Sequence, residues 1–325
     1  MRALVILTLC WLAATMAALM LGSVPIDAGR ILAAGLGFGS AGDQIVIWQI
    51  RLPRTLAASL VGAALGMSGA ALQGLLRNPL AEPGVLGVSA SAALAATTAL
   101  YFGLTAAGPL VLPLAAIAGA LAATFIVAAA ALRTRSVVTL ILIGVGLSSF
   151  SAALMALLMN FAPNPFSLAD MVNWMLGTVA NRSLNDLLMS APFLIVGIVM
   201  LMASRSGLAA LSLGEEAAQG LGLNLGRQRL IVILGAGLAT GGAVALAGTI
   251  GFVGIVAPHL VRPFVRYDPA RLLLPSAILA ATMLVLADVA VRLLPTDAEL
   301  KLGVLASLVG APIFIWIAAR RRGGS

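Results

Sequence analysis

Residues 51–87 read RLPRTLAASLVGAALGMSGAALQGLLRNPLAEPGVLG, and the fold turns on this stretch. It opens on Arg51 and Arg54 around Pro53, carries no charge from Thr55 to Leu76, and closes on Arg77, Asn78, Pro79 and Glu82. An uncharged run of that length between basic ends is one membrane crossing with a polar device at each end. Gly62, Gly66 and Gly69 recur at three- and four-residue spacing. That spacing strips side chains from one helix stripe and lets a neighbouring backbone come close, so the helix is expected to be surrounded by protein.

The rest of the chain agrees with a polytopic membrane protein. Hydrophobic residues make up 61% of 325 and charged residues 9%, with a mean hydropathy of +1.11. A net charge of +8 and a pI near 11.3 raise nucleic acid as a partner. The arginines stand singly or in short groups at the ends of apolar runs, which is bilayer orientation and not a nucleic-acid face. Lone Cys10 lies inside the first apolar run, so neither a disulfide framework nor a metal cluster is expected.

Residues 3–22 are read as a retained first helix, because no small-residue cleavage site and polar mature sequence come after them. Further spans are predicted at 55–76, 84–103, 108–132, 137–161, 187–204, 228–248, 249–265, 272–294 and 302–319, ten in all, in an all-α membrane fold. With a cytoplasmic N-terminus, thirteen of the nineteen basic residues fall inside and six outside: Arg30, Arg51, Arg54, Arg182, Arg292 and Lys301. Both termini are then cytoplasmic. GAALGMSGA from Gly62 is echoed by GAGLATGGA from Gly235, five crossings later and so in the opposite direction. Inverted repeats of this kind are common in transporters. The expected organisation is one transmembrane domain over 1–325. Residues 1–50 hold the first helix and outer loop, and 51–160 the first repeat. Residues 161–227 hold an outer helix, the sixth span and a cytoplasmic loop, and 228–325 the second repeat.

Three stretches interrupt the apolar rhythm. Residues 161–186, with Trp174, Met175, Leu176, Arg182 and Asp186, are expected to hold a short helix on the outer face. Residues 205–229 form the longest polar inner loop, where Glu215 and Glu216 suit a first helical turn and Gly220, Gly222 and Gly226 then break the chain into short pieces. Apolar Leu221, Leu223 and Leu225 between those glycines point to a handle for another protein more than to a solvated linker. GTIGFVGIVAPHLVRPFVR, from Gly248, combines a short span with glycine and proline, so an irregular helix beside a pathway is expected.

Taken in order, RLPR, GAALGMSGAALQ, RNPLAEPGVLG, WMLGTVANRS, GLGLN, GFVGIVAPHLVR and LGAPIFIW resemble the FecCD-type permease subunits of type II ABC importers, which serve iron chelates, haem and cobalamin. The resemblance covers nearly the whole chain. It implies a ten-helix subunit in the bacterial inner membrane, paired with a second permease copy as a homodimer, in contact with membrane lipid. Two cytoplasmic ATP-binding subunits below and a periplasmic substrate-binding protein above complete the machine. The chain carries no GxxxxGK[ST] loop, so ATP and magnesium belong to the partner ATPase, this chain holds no cofactor, and no enzyme activity is expected.

The resemblance also assigns residues. Arg51, Arg54 and Arg292 match positions that meet glutamates of the binding protein, a pairing that arginine forks favour. Glu215, Gly220, Leu221, Gly222, Leu223 and Asn224 fall in the region that seats in the ATPase. Asn78 and Leu80 match one inner gate, and Ser136, Val137 and Val138 match a second, where two valines make a drier seal than the cobalamin importer has. On the pathway, Arg182 is read as a partner for a passing anion, and Met155, Met159 and Met175, with Met171 and Met189, as a soft lining or simply as packing. The cargo expected first is haem, with ferric siderophore and cobalamin as alternatives, moved by alternating access. His259, the lone histidine, invites a haem-ligand reading, but its place in a family motif near the inner boundary favours packing.

Two other classes compete. An ion-coupled secondary transporter would share the inverted repeat but needs acids at mid-membrane, where Asp288 is the clearest, four residues from Arg292. An intramembrane enzyme needs a nucleophile, dyad or metal set, and one histidine, one cysteine and no HExxH offer little to build it from.

Overall fold

A computed structural model of the protein describes residues 2–22, 24–134, 136–294 and 299–320, the last five without their side chains. Arg135, Arg321 and Arg322, three of the predicted inner basic residues, lie outside the described residues. Fifteen α-helices are found among those described: α1 (Arg2–Met20), α2 (Ala28–Gly35), α3 (Ala41–Ile45), α4 (Leu52–Leu75), α5 (Val88–Tyr101), α6 (Val111–Arg133), α7 (Val137–Asn160), α8 (Pro165–Met175), α9 (Leu184–Ala203), α10 (Arg205–Leu211), α11 (Glu215–Gly220), α12 (Leu225–Ala247), α13 (Val253–Val261), α14 (Pro269–Leu293) and α15 (Leu302–Arg320). A π-helical turn, Val46–Arg51, fuses α3 to α4.

Helix α4 is the centre of the molecule. It packs on α14, α12, α13 and α9, and its glycines are the reason. A Cβ at Gly62 would strike the backbone of Ala280 and Ala281, one at Gly66 the carbonyl of Ser276, and one at Gly69 the carbonyl of Gly254. In a medium where apolar side chains gain nothing by leaving lipid, such close backbone contact is what holds helices together. The repeat is visible in the packing too. As α4 lies on α14, so α12 lies on α6, where Gly237 meets Thr124 and Gly241 meets Ala120. The first α-helix of each repeat thus packs on the third of the other.

Among the described residues, seven helices are long and apolar enough to cross a bilayer. The stretches predicted as spans at 84–103 and 249–265 give shorter apolar helices, Val88–Tyr101 and Val253–Val265, while 302–319 is covered by α15. Fourteen residues of helix reach only about 21 Å at 1.5 Å each, less than a hydrocarbon core of about 30 Å. The shortness has a local cause, since 3-10 turns at Pro83–Leu86 and Arg262–Val265 take up part of each predicted stretch. The outer-face helix predicted within 161–186 is α8, started by Asn164, whose side chain accepts from the Ser167 amide, and by Pro165.

Candidate functional site

One end of the helix bundle gathers the basic residues that the sequence analysis placed outside. Arg54 in the first turn of α4 sets its Nε 2.8 Å from Asp288 Oδ1 and turns Nη2 to Glu299. Arg292, one turn after Asp288 on α14, holds its other oxygen at 2.9 Å. Arg292 Nη1 also donates to the Ala18 carbonyl at 3.0 Å. Arg51 donates through Nη1 to the carbonyls of Leu19 and Met20, at 2.6 and 2.9 Å, and through Nη2 to that of Val24. Those of Ala18, Leu19 and Met20 are carbonyls that the end of α1 leaves without intrahelical partners.

Within the chain, then, Arg51, Arg54 and Arg292 all have partners. Asp288 is 1% exposed and Arg51 5%, so the acidic partners of Arg54 and Arg292 belong to the same chain and Arg51 is committed to backbone. The physical reason is that a charge this deep is costly unless it is paired and hydrogen-bonded. Asp288, weighed in the sequence as a coupling-ion acid, is held between two arginines. Glu299 remains 39% exposed, and with the three arginines it lines a cavity of about 400 Å³ that opens on this end.

Further in, two helix breaks meet. Helix α12 ends at Ala247, and the chain turns through Gly248 and Phe252, both at positive φ, before α13 starts. The Phe252 amide donates to the carboxylate of Glu82, from the break between α4 and α5. The 3-10 turn Pro83–Leu86 lies against the middle of α7, where Ser148 Oγ donates to the Gly84 carbonyl at 3.0 Å and Gly144 leaves room for that of Val85. Breaks of this kind are tolerated at membrane depth only where protein or a cavity satisfies the backbone.

The C-terminal end of α8 is stitched to the same place. Thr178 N donates to the Ala247 carbonyl at 2.7 Å, Thr249 Oγ1 to that of Met175 at 2.5 Å, and Gly303 N to that of Gly177 at 3.2 Å. A groove of about 570 Å³ runs beside this seam, with Met175, Thr249, Ser307 and Pro312 in its walls. Met175 is therefore brought to a groove, whereas Met155, 6% exposed, and Met171 are core packing, and Met159 is half-buried near the end of α7. Arg182 is half-buried just before α9, and its Nε has no hydrogen-bond partner. Burial lowers its guanidinium pKa, and Asp186 partly offsets that.

At the opposite end the predicted gate residues hold local caps. Asn78 Oδ1 accepts from the Leu80 amide at 3.0 Å, and Ser136 Oγ accepts from the Thr139 amide at the start of α7. Leu80 and Val138 are exposed, and Val137 is half-buried. The loop read as a handle is a pair of short helices, α10 and α11. Arg229 Nη2 of α12 donates to Glu215 Oε1 at 2.8 Å, and Gln228 Nε2 donates to the Ser204 carbonyl at 2.8 Å. Asn224 caps α12 through the Arg227 amide. Gly220 and Gly222, the latter at φ +86°, turn the chain so that Leu221 stands 70% exposed while Leu223 packs inward. The result is a braced knob with an apolar tip.

Sequence reasoning missed Glu82 as a bridging group and Gln73, which meets Arg262 across the α4–α13 contact. The proline and glycine flanking Glu82 were the available signal. His259 is half-buried in the last turn of α13, and no group of three potential metal ligands is found among the described residues.

The model of the FecCD transport family matches residues 8–320. The vitamin B12 import system permease protein BtuC of Salmonella paratyphi A is 42% identical over 97% of this chain and 94% of its own. The ABC transporter permease protein YvrB of Bacillus subtilis is 40% identical over 86% of this chain and 80% of its own. A solved metal-chelate type ABC transporter in an inward-facing conformation superimposes with a TM-score of 0.89 at 32% identity, covering 98% of this chain and 99% of the other.

Proposed function

The chain belongs to the FecCD transport family and is an ABC importer permease, and from that premise we propose that it carries an organic metal chelate of the cobalamin class from periplasm to cytoplasm. In this reading the working unit is two copies of the chain, two cytoplasmic ATPase subunits and a periplasmic binding protein. ATP and magnesium act on the ATPase, and this subunit supplies the path.

The observation that carries the reading is the braced knob of α10 and α11 in a chain that matches the family from 8 to 320. Its exposed Leu221 gives a motor something to push, and the Glu215–Arg229 pair transmits the push to α12. Helix α12 runs from there to the break at Gly248, so a displacement at the knob reaches the seam where Glu82, Phe252 and Thr249 meet. The exposed apolar faces of α7 (Leu142, Val145, Phe150) and α15 (Leu308, Ile315) suit a second copy across a shared pathway.

Relatives named for vitamin B12 import, at 42% identity over almost their whole length, support a corrinoid cargo ahead of the haem expected first from the sequence. Haem stays as the second reading because Arg182, half-buried with an unpartnered Nε, suits a propionate. The test is reconstitution of the chain with its ATPase and binding protein, comparing ATP-dependent uptake of cobalamin, haem and a ferric siderophore. Cobalamin transport well above the other two is expected. Uptake of haem alone overturns the first reading in favour of the second, and uptake driven by an ion gradient without ATPase overturns both.

A further inference from the structure

A cavity with a basic rim lies at the end opposite the Asp288 cluster, in a cleft apart from the helix breaks. It lies where the start of α1, the end of α9, the start of α10, the 3-10 turn Arg262–Val265 and the first turns of α14 come together, and it encloses about 600 Å³. That is within the roughly 300–1,000 Å³ of small-molecule sites. Its floor is apolar, with Leu4, Met202, Leu274 and Pro275, and its rim carries Arg205, Arg266 and Arg271.

The charge on the rim is only partly compensated. Arg271 pairs with Asp268 at 3.1 Å, but neither the Arg205 nor the Arg266 side chain has a carboxylate or hydrogen-bond partner among the described residues. An aqueous or soluble-partner site would not need the second feature of this cleft, which is that its apolar floor is set into the start of α1, a helix of membrane-spanning length whose other face carries exposed Val5, Ile6 and Leu9. Phe264, 74% exposed, stands beside the arginines at the same level. Basic residues at the ends of apolar helices mark the headgroup layer on the cytoplasmic side of a bilayer.

We propose that this cleft is a binding site for an anionic phospholipid of the inner leaflet, with the phosphate on Arg205 and Arg266 and an acyl chain along α1 and Leu274. Basic pockets between transmembrane helices on the cytoplasmic side bind anionic headgroups by this combination of charge and apolar wall. The proposal depends on the cytoplasmic placement of this end and is independent of the cargo. The lipid would tie α1 to α9 and α14 at the inner boundary, as the arginines tie it at the outer one.

The experiment is native mass spectrometry of the full chain titrated with phosphatidylglycerol or with phosphatidylcholine of the same acyl chains. Phosphatidylglycerol is expected to bind saturably and at least tenfold more tightly, and Arg205→Gln with Arg266→Gln to remove that preference. Leu274→Trp, which fills the cleft and keeps the arginines, is expected to lower occupancy as well, provided its thermal unfolding matches that of the parent chain. Equal binding of the two lipids, or an unchanged preference in the double variant, overturns the proposal. So does displacement of the lipid by millimolar inorganic phosphate, which would make the site one for free anions. Failure of the reconstituted chain to import any of the three cargoes would sink the functional reading while leaving this lipid preference in place, so the two failures are distinguishable.

Discussion

Asp288→Asn is the perturbation with the clearest consequence. The substitution keeps the shape of the side chain but removes the one carboxylate that Arg54 and Arg292 share, at 2.8 and 2.9 Å. Arg54, Asp288 and Arg292 have side chains 12%, 2% and 10% exposed, so two guanidiniums would be left facing each other with little water. Removing one partner of a buried pair costs about 3–5 kcal/mol. At roughly 2 °C per kcal/mol for a chain of this size, the expected drop in unfolding temperature is on the order of 6–10 °C. Glu299 supplies the internal control, since at 39% exposure its pairing with Arg54 is screened and Glu299→Gln should cost at most about 1 kcal/mol. Tryptophan fluorescence of the detergent-solubilised chain reads the transition locally, because Trp11 donates to Ser59 Oγ across the α1–α4 contact and Trp48 to the Ala34 carbonyl. A triple variant, Asp288→Leu with Arg54→Met and Arg292→Leu, removes charge and counter-charge together and should recover much of the loss. The reasoning is refuted if Asp288→Asn shifts the transition no more than Glu299→Gln, or if the triple variant unfolds below the single one.

Glu299→Gln also frees Arg54 from its exposed partner, so if this rim receives a binding protein its affinity should rise by up to about fivefold in a surface binding assay; an unchanged affinity would separate docking from the cluster. Gly69→Ala puts a methyl against the Gly254 carbonyl and should lower stability by about 1–3 kcal/mol, whereas Gly146→Ala, which meets nothing within 4 Å, should be neutral; similar melting curves for both would contradict the packing described for α4. Leu221→Asp alters an exposed tip and should leave thermal stability within about 0.5 kcal/mol while abolishing co-purification of the ATPase; intact co-purification would move the coupling surface elsewhere.

The membrane class, the position of most helices and the close packing of α4 were legible in the sequence because each is written in local composition. A glycine stripe at three- and four-residue spacing states that something comes close, although it does not say that α14 is the neighbour. The short helices of the 205–229 loop were legible for the same reason, since Gly220, Gly222 and Gly226 punctuate a helical pattern. The intrachain partners of Arg51, Arg54 and Arg292 were not legible. Arg51 finds carbonyls some thirty positions away, and Arg54 finds Asp288 at a separation of 234. Nothing in RLPR distinguishes an arginine aimed at a partner from one that caps a helix of its own chain. Glu82 was hidden similarly, because its acceptor role depends on a helix break far along the chain at Phe252. The lengths of α5 and α13 were overestimated because hydropathy continues through the 3-10 turns that interrupt them.

The clasp on α1 also sets a schedule for biogenesis. Arg51 is made about thirty residues after the carbonyls it holds, but Arg292 comes 274 residues after Ala18. At a synthesis rate of about 5–20 residues per second, the ribosome needs roughly 15–55 s to deliver the second clasp. For that interval the first helix sits in the bilayer fastened on one side only, its final seat against α14 not yet made. Insertion factors therefore have a long window in which to hold or lose it, and the last third of the polypeptide decides whether the first twentieth stays where it was put.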